Sequence, residues 1–185
     1  MTARSFCPPA QPPVRPLASG RWRATPGATV TASATVSIER AQLLWLPPGI
    51  GLQAMGCNVG AIAASTDLRF GIRADNNGLP GTLLLDAGTI AADTAGTRSL
   101  PITFTVPAGP VTGVPVWLTV TAQGSNTVSM VGVYPVSEYR DFGTAGAAIF
   151  GHSVSSQSGV TGALPTPFTL SSVSGPVPLL AVQAA

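Results

Sequence analysis

The chain runs to 185 residues, room for one domain with a real core but near the lower size limit for two. Hydrophobic residues make up 45% and charged residues only 9%, with nine arginines, no lysine, seven carboxylates, one histidine and a formal charge of +2, which argues against a general nucleic-acid binder. Soluble monomers normally carry about a quarter charged residues; neighbouring subunits are expected to cover this surface, since every apolar run is cut well short of the roughly 18 to 20 residues of a spanning helix.

Residues 1–26 read as an extended arm. Pro8, Pro9, Pro12, Pro13, Pro16 and Pro26 forbid helix and favour polyproline-like backbone, and the segment cannot make a core of its own. Arg4, Arg15, Arg21 and Arg23 all precede the first acid, Glu39, so the arm is basic. Such arms dock on acidic partners or polyanions, or stay solvated, and both readings stand. Arginines and prolines occupy the place of an apolar signal core, so synthesis and assembly in the cytoplasm are expected. Cys7 in the arm and Cys57 in the domain are not a disulfide framework and read as two free, inert thiols.

From Thr29 to the end, short runs of Val, Ile, Thr, Leu and Phe alternate with Gly, Pro and Asn clusters, the pattern of a two-sheet sandwich over residues 27–185. Ile38–Leu46 reads as a strand stopped by Pro47 and Pro48, with Trp45 as a core or interface anchor. Over residues 67–74, Leu68, Phe70, Ile72 and Ala74 point one way and Arg69 and Arg73 the other, which predicts one buried and one wet face. Asp75-Asn-Asn-Gly-Leu-Pro-Gly81 is a tight turn, followed by a strand over residues 83–90. Ile102, Phe104 and Val106 alternate in another strand; Val114, Val116, Leu118 and Val120 do so in the next, with Trp117 on the opposite face. Residues 128–134, 148–153 and 177–182 supply the remainder, and the Gly/Ser/Thr-rich run 151–162 reads as an exposed loop. About eight or nine strands result. The fold class expected is all-β, a jelly-roll-like sandwich.

The inventory of reactive groups is thin. Without lysine there is neither a phosphate-binding P-loop nor Schiff-base chemistry. Gly151, Ser153 and Ser155 nearly spell a nucleophile elbow, but the single histidine, His152, adjoins the candidate serine, and no second histidine can close a triad. Glu138 and Asp141 flank Tyr139 and Arg140 and suit either a sugar-cleaving carboxylate pair or a surface turn held by an ion pair, the second being favoured. Asp75, Asn76, Asn77 and Gly78 resemble the start of a calcium loop but lack its closing acid; turn formation accounts for them. Arg21, Trp22 and Arg23 form the one basic-aromatic triplet, a weak nucleic-acid signal. No catalytic, cofactor or metal site is expected.

The stretch Leu68-Arg-Phe-Gly-Ile-Arg-Ala-Asp-Asn-Asn-Gly-Leu-Pro-Gly-Thr-Leu-Leu-Leu-Asp-Ala-Gly88 resembles a jelly-roll module of phage tail-fibre and other virion appendage proteins. Its features are a strand ending in aspartate, an Asn-Gly-x-Pro-Gly turn and a leucine-rich strand ending Asp-x-Gly. Ala95-Gly96, residues 101–106, Pro107-Ala-Gly109 leading to Val116-Trp-Leu118, Gly162-Ala-Leu-Pro-Thr-Pro-Phe168 and residues 177–182 continue the likeness, which covers roughly residues 25–185. The stretch between Pro110 and Pro115 and the Pro-rich arm depart from the pattern. These are turn and packing motifs, specific for fold and genre and silent about activity.

The resemblance implies a non-enzymatic virion structural protein, a fibre, adaptor or capsid decoration, made in the host bacterial cytoplasm. Arg4, Arg15, Arg21, Trp22 and Arg23 would attach it to capsid, neck or tail, and copies would associate, as a trimer by analogy with fibres. The rival reading is a carbohydrate-binding module for host glycan, with Trp117, Tyr134, Tyr139 and Trp22 as contacts, although a tryptophan is more often core or interface.

Overall fold

A computed structural model of the chain describes residues 16–25, 27–135, 155–173 and 176–185. The strands are β1 (Trp22–Ala24), β2 (Gly27–Ala34), β3 (Ile38–Leu46), β4 (Gly51–Ala61), β5 (Thr66–Asn76), β6 (Leu79–Ala91), β7 (Gly96–Thr105), β8 (Val114–Gly124), β9 (Val128–Pro135), β10 (Ser155–Ser158), β11 (Ser172–Val173), β12 (Val177–Pro178) and β13 (Ala181–Ala184). They build two curled antiparallel sheets, and the chain is an all-β sandwich. Of the strands expected from the sequence, the one over residues 148–153 lies outside the described residues.

The eight long strands β2 to β9 form the body. Their order is β2-β9-β4-β7 in the first sheet and β3-β8-β5-β6 in the second. Alternation places the core between them. Leu68, Phe70 and Ile72 on β5 and Val116, Leu118, Val120 and Ala122 on β8 face Leu52, Met55, Cys57 and Val59 on β4 and Val128 and Met130 on β9. Between β5 and β6 the chain reverses in two residues, Asn77 at φ 53° and Gly78 at φ 83°. Positive φ at both central positions gives the turn the twist that a hairpin needs, which is why Asn-Gly stands there. Leu79, Pro80 and Gly81 already belong to β6, so the turn is tighter than the seven-residue loop read from the sequence.

β4 is a strand the sequence does not announce, its pattern broken by Gly51, Gly56 and Gly60. Its glycine at position 56 has a packing cause: a Cβ there would lie 2.7 Å from the Arg98 carbonyl oxygen of β7. The strand holds its place through Leu52, Met55, Cys57 and Val59, which point into the core, with a bulge between Leu52 and Ala54 keeping the alternation.

β4 and β9 pair only at Val59 and Ala61, then diverge, and residues 177–184 fill the gap. β12 pairs with β9, Leu179 donates its N–H to the Val131 carbonyl, and β13 crosses to pair with β4. The strand expected over 177–182 is thus split in two, each part serving a different neighbour. The outer edge of β13 is taken by β1, with Trp22 opposite Gln183 and Ala24 opposite Ala181. Thr25 is buried and its hydroxyl donates to the Leu43 carbonyl. The stretch 22–25 is part of the sandwich rather than of an arm that ends at residue 26, because β13 would otherwise leave a row of backbone groups unpaired.

Two further expectations need correction. Ser155–Ser158, inside the run read as an exposed loop, is β10, paired with β3 on one side and β11 on the other. The outer face of β5, expected to be wet, is largely covered: Arg73 is fully buried. The cover is the strap formed by residues 159–171.

Candidate functional site

The strongest concentration of polar chemistry lies under that strap, on the outer face of the second sheet. Glu39 on β3, Arg73 on β5 and Gln157 on β10 all point out of the sandwich and are all buried. Arg73 donates from Nε to Glu39 Oε1 and from Nη2 to Glu39 Oε2, each at 2.8 Å, a bidentate pair with neither side chain exposed. The remaining guanidinium donors reach the carbonyls of Gly81 and, at 2.8 Å, Pro165. Gln157 donates to Glu39 Oε2 and accepts the Thr169 N–H, both at 2.6 Å. The Phe168 ring covers the guanidinium at 5.1 Å from its centroid.

The strap is held at its near end as well. Leu164 is buried, and its N–H donates to Asp86 Oδ2 at 3.1 Å; Gln123 donates to the Gly162 carbonyl. Leu164 fits because position 71 is glycine: a Cβ there would come within 2.3 Å of Leu164 Cδ1. Asp86 also accepts a forked pair from Arg69, at 2.9 and 2.8 Å. Burial alone would raise the Asp86 pKa; the Arg69 hydrogen bond, the Leu164 and Gly88 N–H groups and the Arg69 charge outweigh it and hold the carboxyl below its ordinary 3.8. A depressed pKa in the folded state means stability that is present above the unfolded value and lost as pH falls through the folded one. Acidification below about pH 4 should therefore loosen the strap first, read as faster amide exchange at Leu164, and Asp86→Asn should remove that acid dependence.

This arrangement holds structure and offers a substrate nothing. Both Glu39 oxygens are engaged by Arg73, one of them also by Gln157, and neither charged group reaches solvent. A general base needs a lone pair within reach of a substrate. Asp75 is likewise committed: its Oδ1 accepts the Trp117 indole N–H at 2.8 Å and its oxygens accept the Gly78 N–H, closing the hairpin turn. The calcium-like spelling at Asp75 is turn chemistry. Among the described residues no group of three or more His, Cys, Asp or Glu is placed to hold a metal ion.

The residues singled out from sequence fall in different places. Trp117 does lie on the face opposite Leu118, but it is only 6% exposed and tied to Asp75, so it presents no platform to a sugar. Trp22 is 43% exposed on β1, Arg21 is exposed just before it, and Arg23 is half-buried on the same strand. Tyr134 belongs to β9 through its backbone, opposite Ala28. Arg4, Arg15, Cys7, Tyr139, Glu138, Asp141 and His152 lie outside the described residues. Glu39 and Gln157 were missed. A lone acid in the apolar strand Ile38–Leu46 was the available signal, but nothing local pairs it with an arginine 34 residues on.

Cys57 points into the core, 6% exposed, and burial pushes its thiol up to about 12 against the opposing pull of Arg98. Thiol reagents at pH 8 should modify it only as fast as the protein unfolds. The sign for stability follows: the native thiol keeps its proton where the unfolded one, ordinarily 9.0, has lost it. Stability should fall as pH rises from 9 towards 12, by up to about 1.4 kcal/mol per pH unit. Cys57→Ala should flatten that limb in denaturant titrations.

Together these features define a two-sheet β-sandwich whose polar network locks one outer face under a strap. No protein-family model matches the chain, and no curated protein does.

Proposed function

We propose that this chain is a non-enzymatic structural subunit of a phage or phage-like virion, a fibre, adaptor or decoration attached through its N-terminal arm. The observation that carries the reading is the strand order. The strand orders β2-β9-β4-β7 and β3-β8-β5-β6 support reading the sandwich as a jelly roll, two Greek keys closed over one another, an architecture used by viral capsid and lectin domains. The hairpin of β5 and β6 carries the aspartate, Asn-Gly turn and leucine-rich strand of the virion-appendage likeness. Sparse charge and the commitment of Glu39, Arg73, Asp75 and Asp86 to internal bonds suit a protein that holds shape within an assembly.

The arm test has a defined cut. Because Trp22–Ala24 is a strand of the sandwich, the deletion should remove residues 1–15 and spare β1. The truncated chain should fold, with an unchanged thermal midpoint, and should no longer co-purify with particles. Undiminished incorporation would sink the attachment role.

One observation favours glycan binding as the second reading: Trp22 is an exposed indole beside Gln183 at the corner of the first sheet. A glycan array probed with the intact chain and with Trp22→Ala tests it; binding that survives the substitution, or no binding at all, removes the case for Trp22.

A further inference from the structure

The two outer faces of the sandwich differ in charge. On the second sheet Glu39, Arg69, Arg73 and Asp75 point outward and much of the face lies under the strap. On the first sheet the outward positions are Thr29 and Thr31 on β2, Asn58 on β4, Thr97 and Ser99 on β7, and Gln183 on β13, with Trp22 at the corner. Register and burial fix this side. Ala32, Cys57, Val59, Val182 and Ala184, their chain neighbours, are buried in the opposite direction. Within the described strands of this sheet, no Arg, Asp or Glu side chain projects from this face: Arg98 on β7 lies on the inward side beside Cys57, and Arg23 is in register with the buried Val182, while the exposed Arg21 precedes β1 at the sheet's corner.

We propose that this uncharged face is where a second copy of the chain docks, the two related by a two-fold axis. A two-fold contact lays the same patch against itself, so any net charge on it would repel its own image; this patch carries none. Its side chains are mostly short, and sheets packed face to face lie about 10 Å apart. The area suffices. The seven strands of this sheet hold 46 residues, each covering about 3.3 Å by 4.8 Å, or about 700 Å2 in plan, within the roughly 600 to 1,000 Å2 per partner of a standard interface. Trp22 supplies the large half-exposed aromatic that such contacts use as an anchor. A nucleic acid or an anionic membrane would call for arginines here. The contact closes as a dimer, in place of the trimer expected by analogy with fibres. This inference rests on the reading of the chain as a structural subunit, takes up the association of copies expected from the sequence, and gives that association a surface.

The test uses the full chain and introduces a charge of either sign at Asn58, which lies on an inner strand of the face, with Thr31 as a second site. Sedimentation equilibrium should show a dimer for the parent chain. Asn58→Arg and Asn58→Asp, each alone, should weaken association about tenfold or more by self-repulsion, with the circular dichroism of the folded chain unchanged. An equimolar mixture of the two should recover the dimer, because opposite charges then meet. Thr31→Arg with Thr31→Asp repeats the design should the Asn58 variants fail to fold. The proposal is overturned if the parent chain is a monomer at about 100 µM, well above the Kd of a standard interface. It is equally overturned if single-sign variants associate like the parent, or if neither mixture recovers. Particle incorporation is read separately, through the arm deletion, so the docking face and the virion reading can fail independently.

Discussion

Arg73→Met should lower stability by about 3 to 5 kcal/mol, the largest effect expected from any single polar substitution in this chain. The residue it strands is Glu39, fully buried, whose carboxylate would keep Gln157 as its remaining side-chain donor. Removing one partner of a buried pair leaves a charge that the interior cannot solvate. Removing both need not: Glu39→Leu combined with Arg73→Met should recover most of the loss, since apolar replacement of a buried pair is often neutral or better. The single substitution also releases the Pro165 carbonyl and the Phe168 ring, so amide protection at Leu164 and Thr169 should fall with it. Urea denaturation of the parent, both single variants and the double variant gives the coupling energy directly. A parent and an Arg73→Met chain with the same midpoint would show that the strap is not held by this pair.

Phe70→Ala should cost about 3 to 5 kcal/mol by opening a cavity in the middle of the sandwich. Among the described residues Phe70 is the largest apolar side chain that is fully buried, set between Leu68 and Ile72 on an inner strand of the second sheet. Close-packed strands on both sides prevent the core from collapsing into the void. Phe70→Leu, which removes less volume, should cost clearly less, and Thr97→Ala on the exposed face should stay within about 0.5 kcal/mol. Equal midpoints for Phe70→Ala and Thr97→Ala would contradict this placing of the core.

The sequence reads well where the information is local. Ile38–Leu46 is a strand with the bounds that Pro47 and Pro48 suggest, and the alternation over residues 67–74 orients Leu68, Phe70 and Ile72 correctly. It misleads where a distant segment decides. Arg73 looks solvated because the chain locally offers it only water, and Glu39, Gln157 and the strap that bury it arrive from 34 residues before and more than 80 after. β4 is illegible for another reason: Gly56 serves close approach to β7, a property of the sheet rather than of the strand. The loop read over residues 151–162 stops short of the strap's anchors, Leu164 and Phe168, which stand out as apolar residues among Gly, Pro and Thr.

The filling of the gap between β4 and β9 by β13 also dictates an order of events during synthesis. At about 5 to 20 residues per second, β1 leaves the ribosome first, yet its partner strand is made some 160 positions later, Trp22 against Gln183. Until then the facing edges of β4 and β9 stand open, rows of bare amide and carbonyl groups next to Met55, Val59 and Met130. Pairings of such long sequence separation form slowly, and an unfinished sheet with open edges is prone to join the wrong neighbour. Slower translation at low temperature, or a chaperone that holds those edges, should raise the yield of folded protein more than any substitution on its surface.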